Sequence, residues 1–200
     1  MRDLVIGTFD EADAVPDPAA ARNLWPPPAD AAFNGRPLRG AAVLVPLVDH
    51  PAGMTVILTQ RTETLPSHAG QIALPGGRRT PDEDTPEATA LRESEEEIGL
   101  APSRVRLLGR LNAHDTHSGY RVLPVVGLVE SPLDLVPDPS EVAAVFEVPV
   151  AHMLDPSNHR FETRLQRGVE RQFRIIAYKD YFIWGLTARV LGELVERLRR

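Results

Sequence analysis

PGGRRTPDEDTPEATALRESEEEIGL, residues 75–100, carries the densest chemistry in this chain. It reads as a glycine turn, a polar loop and then a helix over Pro86–Ile98, with proline in the first turn and Gly99 just past the end. At about 100° per residue, Ala88, Leu91, Ser94 and Ile98 share one side of that helix. Glu93, Glu96 and Glu97 share the opposite side, and Glu95 falls off that stripe. Like charges three and four residues apart oppose the helix by a few tenths of a kcal/mol per pair, roughly, and a divalent cation relieves them. Hard oxygen ligands suit Mg2+ or Mn2+, whose remaining positions go to water and substrate phosphates. An acidic run is more often a solvated face, so the helix alone does not decide the matter. Gly76 and Gly77 add to it, because glycines let the backbone approach a ligand closely and leave the Gly76 carbonyl open to complete a metal shell.

Upstream, AAVLVPLVD (41–49) and MTVILTQR (54–61) are short β-branched runs joined by a turn, the pattern of a hairpin. Residues 62–84 form a long loop broken by prolines and glycines. Downstream, 104–113, 121–130 and 171–178 read as strands, and 141–154 as a strand or turn leading into a short helix. Residues 186–200 close the sequence as an amphipathic helix with Leu186, Val190, Leu194 and Leu198 on one stripe. Strands alternating with two principal helices predict a mixed β-sheet flanked by helices, an α/β fold. The Ala-, Pro- and Asp-rich residues 1–37 are expected to form a surface arm, with a short helix near 19–24, ahead of a domain over 38–200.

The bulk properties narrow the function. Two hundred residues, 42% hydrophobic and 25% charged, suit one globular domain with extensions. No run of about 18 apolar residues is present, which argues against a membrane span, and the first residues lack the core of a signal peptide, so the cytoplasm is the expected compartment. The absence of cysteine excludes disulfides, thiolate catalysis and Cys-ligated zinc. A net charge of −6 argues against a nucleic-acid partner, yet Arg61, Arg78, Arg79 and Arg92 border the acids at 82–97, as a metal-bridged phosphate ester requires.

Residues 76–100 resemble a Nudix box: two glycines, an early acid, then Arg92, Glu93, Glu96, Glu97, Gly99 and Leu100 in the order Arg-Glu-X-X-Glu-Glu-X-Gly-apolar. The spacing from Gly77 to Arg92 is one residue longer than in the strict box. The early acid therefore falls on Glu83 counting forward and on Asp84 counting back, which leaves the roles of both open. The resemblance implies an α/β/α Nudix sandwich and a metal-dependent pyrophosphohydrolase, in which Glu93 and Glu97 bind Mg2+ or Mn2+ and Glu96 is a ligand or a water-activating partner. Arg92 would orient a glutamate, most simply Glu96, and Glu141, outside the box, is a candidate general base.

LTQRTETLPSHAGQIALPGG (58–77) resembles the signature of coenzyme A-type Nudix proteins, matched at Leu58, Thr59, Arg61, His68, Gly70, Gln71, Ile72 and Leu74–Gly77. Thr62 stands for a usual Ser, and Pro66 for a frequent Arg. SGYRVLPVVGLV (118–129) and FIWGLTARVLGEL (182–194) are similar to the same subfamily's later segments. The implied substrate is coenzyme A or a thioester of it, with Arg61, His68 and Gln71 as substrate-binding residues. Arg61 offers a planar fork for a phosphate, including the 3′-phosphate; His68 serves phosphate or the loop itself. Trp184 is expected to be a core or rim aromatic. Two alternatives remain open: hydrolysis of another nucleoside diphosphate such as ADP-ribose or a dinucleotide, and a non-catalytic sensor of this fold. Both a monomer and a homodimer are compatible with the sequence.

Overall fold

The computed structural model describes residues 1–9, 32–33, 35–166 and 169–199. Its centre is β3 (Arg39–Asp49), preceded by the small β1–β2 ribbon (Ala32–Phe33 and Arg36–Pro37). β3 runs parallel to β9 (Tyr120–Glu130) through eleven residue pairs, from Arg39↔Tyr120 to Asp49↔Glu130. Both strands are buried on both faces, which is why they read as near-continuous apolar runs. β10 (Val142–Pro149), β4 (Thr55–Arg61), β3, β9 and β7 (Val105–Arg110) lie in that order, and every pair except β3–β9 is antiparallel. The mixed sheet expected from the strand pattern is thus present, and β8 (His114–Asp115) extends it beside β9.

The expected hairpin forms and then opens. β3 and β4 pair only at Leu47↔Val56 and Val48↔Thr55. Beyond that point β5 (Ile72–Ala73) pairs with β4, while β6 (Gly76–Arg78) pairs with Ala41–Val43 of β3. The long loop therefore returns into the gap between two diverging strands and brings the glycine turn to the sheet.

Helices cover both faces. α2 (Pro86–Ile98) closes one core with Ala42, Leu44, Ile57, Val125 and Val129. It begins at Thr85, whose side chain accepts a hydrogen bond from the Ala88 amide, and ends at Gly99 in the left-handed region. On the other face α1 (Arg2–Thr8), α3 (Val150–Leu154) and α4 (Gly185–Leu198) pack over Val45, Leu47, Val126 and Leu128. The α4 stripe is as expected: Val190, Leu194 and Leu198 are buried and Leu186 is half-buried. A separate antiparallel sheet of β11 (His159–Gln166), β12 (Val169–Tyr178) and β13 (Tyr181–Ile183) adds Ile176 and Ile183 to this core.

The structure differs from the sequence reading at three places. Residues 2–9 form a helix whose Val5 and Phe9 are buried in the α4-side core, anchoring contacts that the sequence did not announce. β11 was not expected, because its charged residues Arg160 and Glu162 mask a period-two alternation carried by Phe161, Thr163 and Leu165. The buried side of α2 runs through Glu87, Ala90, Ser94, Glu97 and Ile98, with Ala88 exposed and Leu91 only half-buried. The helix turns toward its carboxylates because Glu87 and Glu97 find partners inside: Glu87 takes both arms of Arg110, and Glu97 takes the glycine turn. The helix expected near 19–24 lies outside the described residues.

Candidate active site

The site forms along the free edge of β6. The Gly76 amide donates to Glu97 Oε2 at 3.0 Å, and Arg92 Nη2 donates to the Arg78 carbonyl at 3.0 Å. Gly76 admits only glycine. A Cβ on Gly76, whose φ is 149°, would collide with the Ala42 carbonyl and Val43, and one on Gly77 would strike the Glu93 carboxylate.

Four carboxylates gather around that edge at graded depth. Glu97 is buried at 5% exposure, Glu93 is half-buried, and Glu96 and Glu141 are exposed. Burial pushes the Glu97 carboxyl up to about 7 against the Gly76 amide and Arg61, with Glu93 and Glu141 adding repulsion. Burial likewise raises Glu93, opposed by Arg92 and reinforced by Glu96 and Glu141. Glu141, well beyond the helix in sequence, thus shares the field of Glu93 and Glu97. Its carbonyl is fixed by the Thr62 amide at 2.9 Å.

Arg92 organises the cluster. Its Nε donates to Glu83 Oε1 at 2.6 Å, its Nη1 to Glu96 Oε2 at 2.7 Å, and its Nη2 to Glu93 Oε1 at 2.9 Å. The contact with Glu96 is the one expected from the spacing of four. Glu83 is one of the two acids between which the sequence left the early position of the box open. It is buried, and although burial opposes its charge, hydrogen bonds from Arg92, the Thr89 hydroxyl and the Thr80 amide hold its carboxyl down at about 2. The forward count from Gly77 marked this residue; Asp84 is exposed beside it.

The 58–77 segment reaches the same place. Arg61 Nη1 stands 3.6 Å from Glu97 Oε1, and its buried Nε has no hydrogen-bond partner among the described residues. His68 Nδ1 and Gln71 Oε1 are 3.0 Å apart on the exposed loop above it, with His68 held at φ 59°. A non-glycine residue in the left-handed region stores strain that the surrounding loop must support. The Arg61 amide donates to the Gln71 carbonyl at 3.0 Å, which ties the loop to the strand that carries the arginine. Trp184 lies at the rim, 43% exposed, at the start of α4.

The donor set suits a hard divalent cation. It consists of oxygens alone, and two of the carboxyls are raised by burial and mutual repulsion that a cation would relieve. Among the described residues no three carboxylate or imidazole side chains converge into a closed coordination shell. Arg92 takes one oxygen of Glu93 and one of Glu96, and the Gly76 amide takes one of Glu97, so the second oxygen of each carboxylate is left for a cation.

These pKa shifts give metal-free protein a defined stability profile. Between about 4.5 and 7 folded Glu97 keeps a proton that the unfolded chain has released, so stability falls as pH rises through that window. Between about 2 and 4.5 Glu83 reverses the sign, because the unfolded chain binds the extra proton. In chelator, thermal denaturation of the wild type is expected to show lower stability at pH 7.5 than at pH 5, and Glu97→Gln is expected to flatten that difference. An unchanged slope in the variant overturns the assignment.

The fold and this edge define a Nudix-type α/β hydrolase, a class that uses divalent metal ions on small nucleotide substrates. Residues 38–167 match the NUDIX domain family model. The chain belongs to the Nudix family, whose hydrolases cleave phosphoanhydride bonds. It is 40% identical over 176 residues to an uncharacterized Nudix hydrolase NudL of Photorhabdus laumondii, covering 88% of this chain and 92% of the relative. A Yersinia pestis NudL is 39% identical over 160 residues, 80% of each chain. The crystal structure of RenU, a Nudix hydrolase from M. smegmatis, superposes with a TM-score of 0.50 at 27% identity over 57% of this chain and 72% of that one. A MutT protein from Methanosarcina mazei shares the fold alone, with a TM-score of 0.53 at 17% identity over 84% of this chain and 97% of that one. No helix among the described residues is long and apolar enough to cross a membrane.

Proposed function

We propose that this pyrophosphohydrolase cleaves the diphosphate of coenzyme A, or of its thioesters, to 4′-phosphopantetheine and adenosine 3′,5′-bisphosphate. One observation carries the reading. Arg61, from the segment that resembles the coenzyme A signature, stands 3.6 Å from Glu97. That contact supports reading the 58–77 loop and the carboxylates as one site, in which Arg61 meets the scissile diphosphate. In this reading Arg61 serves the diphosphate rather than the 3′-phosphate.

In this reading Glu93, Glu96 and Glu97 would hold Mg2+ or Mn2+, with the Gly76 carbonyl as a further oxygen donor. A bound divalent ion supplies charge neutralisation of the diphosphate, polarisation of phosphorus and a lowered pKa for attacking water. Arg92 fixes the directions of Glu93 and Glu96 through its guanidinium fork. Arg61 neutralises a diphosphate oxygen, while His68 and Gln71 bind substrate above it. Glu141, exposed and in the field of the other two acids, takes the proton of the attacking water.

The test is a hydrolysis screen in Mg2+ and Mn2+ across coenzyme A, ADP-ribose, NADH and diadenosine polyphosphates. Coenzyme A is expected to be the preferred substrate, with label from 18O-water entering one of the two phosphate products. Label in a pantetheine hydroxyl, or free inorganic phosphate as the main product, overturns the pyrophosphatase chemistry. Preference for ADP-ribose overturns the substrate.

A further inference from the structure

Two arginines outside the carboxylate cluster converge on one aromatic ring. The guanidinium carbon of Arg39 lies 4.1 Å from the Tyr120 ring centroid, and that of Arg78 lies 5.4 Å from it. The register explains the convergence. Arg39 is paired with Tyr120 across β3 and β9, and Arg78 is paired with Ala41, two residues on from Arg39. With a period of two, all three side chains stand on the same face of the sheet. The ring attracts each cation through its quadrupole, but the two guanidiniums repel each other. Neither has a carboxylate partner among the described residues, whereas the neighbouring Arg121 is paired with Asp115 at 2.8 Å. Both Arg39 and Arg78 are exposed, and the Tyr120 ring lies beneath them with its hydroxyl buried and without a hydrogen-bond partner among the described residues.

This pair adjoins the reactive edge. Arg78 directly follows Gly77, over which the Glu93 carboxylate sits, and its own carbonyl accepts from Arg92 at 3.0 Å. A ligand whose diphosphate lies on Glu93 and Glu97 therefore has Arg78 within a residue's reach. We propose that Arg39 and Arg78, backed by Tyr120, form a second anion subsite for a phosphomonoester carried by the substrate one ribose away from its diphosphate. Two guanidiniums without a carboxylate partner among the described residues match a dianionic phosphate in charge and in hydrogen-bond geometry. The subsite deepens the coenzyme A reading and rests on it for the identity of the group, the 3′-phosphate. It makes Arg39 and Arg78 specificity-determining residues.

The test uses nucleotide binding, which does not depend on turnover. Calorimetry of the intact protein with adenosine 3′,5′-bisphosphate and with adenosine 5′-monophosphate is expected to show about tenfold or more tighter binding of the bisphosphate. Arg39→Gln and Arg78→Gln are each expected to erase most of that ratio, and the ratio of kcat/KM for coenzyme A over dephospho-coenzyme A should fall in step. Equal losses on both nucleotides, or an unchanged ratio, overturn the subsite. Circular dichroism confirms the fold of the variants, and Arg39→Lys, which keeps charge without the fork, should retain part of the ratio. Hydrolysis of coenzyme A by the wild type is read separately. Its absence removes the substrate assignment, while the nucleotide ratio still decides the subsite.

Discussion

Glu97→Gln is expected to lower kcat by about a thousandfold or more while the protein remains folded, because one metal-holding carboxylate supplies several kcal/mol of transition-state stabilisation. The substitution keeps size and the capacity to accept the Gly76 amide, which Glu97 Oε2 now takes at 3.0 Å. It removes a carboxyl that burial already raises to about 7, so metal-free Glu97→Gln should be no less stable than the wild type near neutral pH. Steady-state kinetics in Mg2+ and Mn2+, with thermal denaturation alongside, check both halves. Glu95→Gln is the control: Glu95 is exposed and off the stripe, and its loss should change kcat less than twofold or so. A Glu95 variant as impaired as the Glu97 one would mean that the metal face has been assigned to the wrong side of the helix.

Arg92→Met is expected to cost about 3 kcal/mol of stability and most of the activity. Its origin is Glu83, which is buried and draws its charge compensation from the Arg92 Nε at 2.6 Å. Removing one partner of a buried pair leaves an uncompensated charge, a loss of about 3–5 kcal/mol, set here at the low end because Arg92 is partly exposed to water. Adding Glu83→Gln removes the stranded charge, so the double variant should regain much of the stability. It should not regain activity, since Glu93 and Glu96 still lack the guanidinium that orients them. Denaturant unfolding and kcat measured on the same samples separate the two effects. Recovery of both would make Arg92 a purely structural residue.

The acidic helix, its caps and most strands were legible because local rules govern them. Pro86 and Gly99 set the ends of α2, and the apolar runs at 41–49, 54–61 and 121–130 become the buried strands β3, β4 and β9. The sequence also paired Arg92 with Glu96, since four residues on a helix are neighbours wherever the helix lies. β11 escaped because its exposed charges outweigh a weak alternation. The packing of Val5 and Phe9 escaped because seven residues of helix announce no partner.

The amino-acid order determined by itself that this chain carries a Nudix box, the spacing of its glutamates, and the signature segment at 58–77. It could not rank Glu83 against Asp84, since an insertion shifts the count from each end and only burial breaks the tie: Glu83 points inward to Thr89 and Arg92. Nor could it bring Glu141 into the field of Glu97, or Arg39 onto the same ring as Arg78. The first meeting depends on β10 pairing with β4 beside Arg61, the second on the parallel register of β3 with β9 and on the return of β6 to β3. Helix neighbours are fixed by a period within the sequence, whereas strand neighbours are fixed by pairing between distant segments, which only the folded sheet decides.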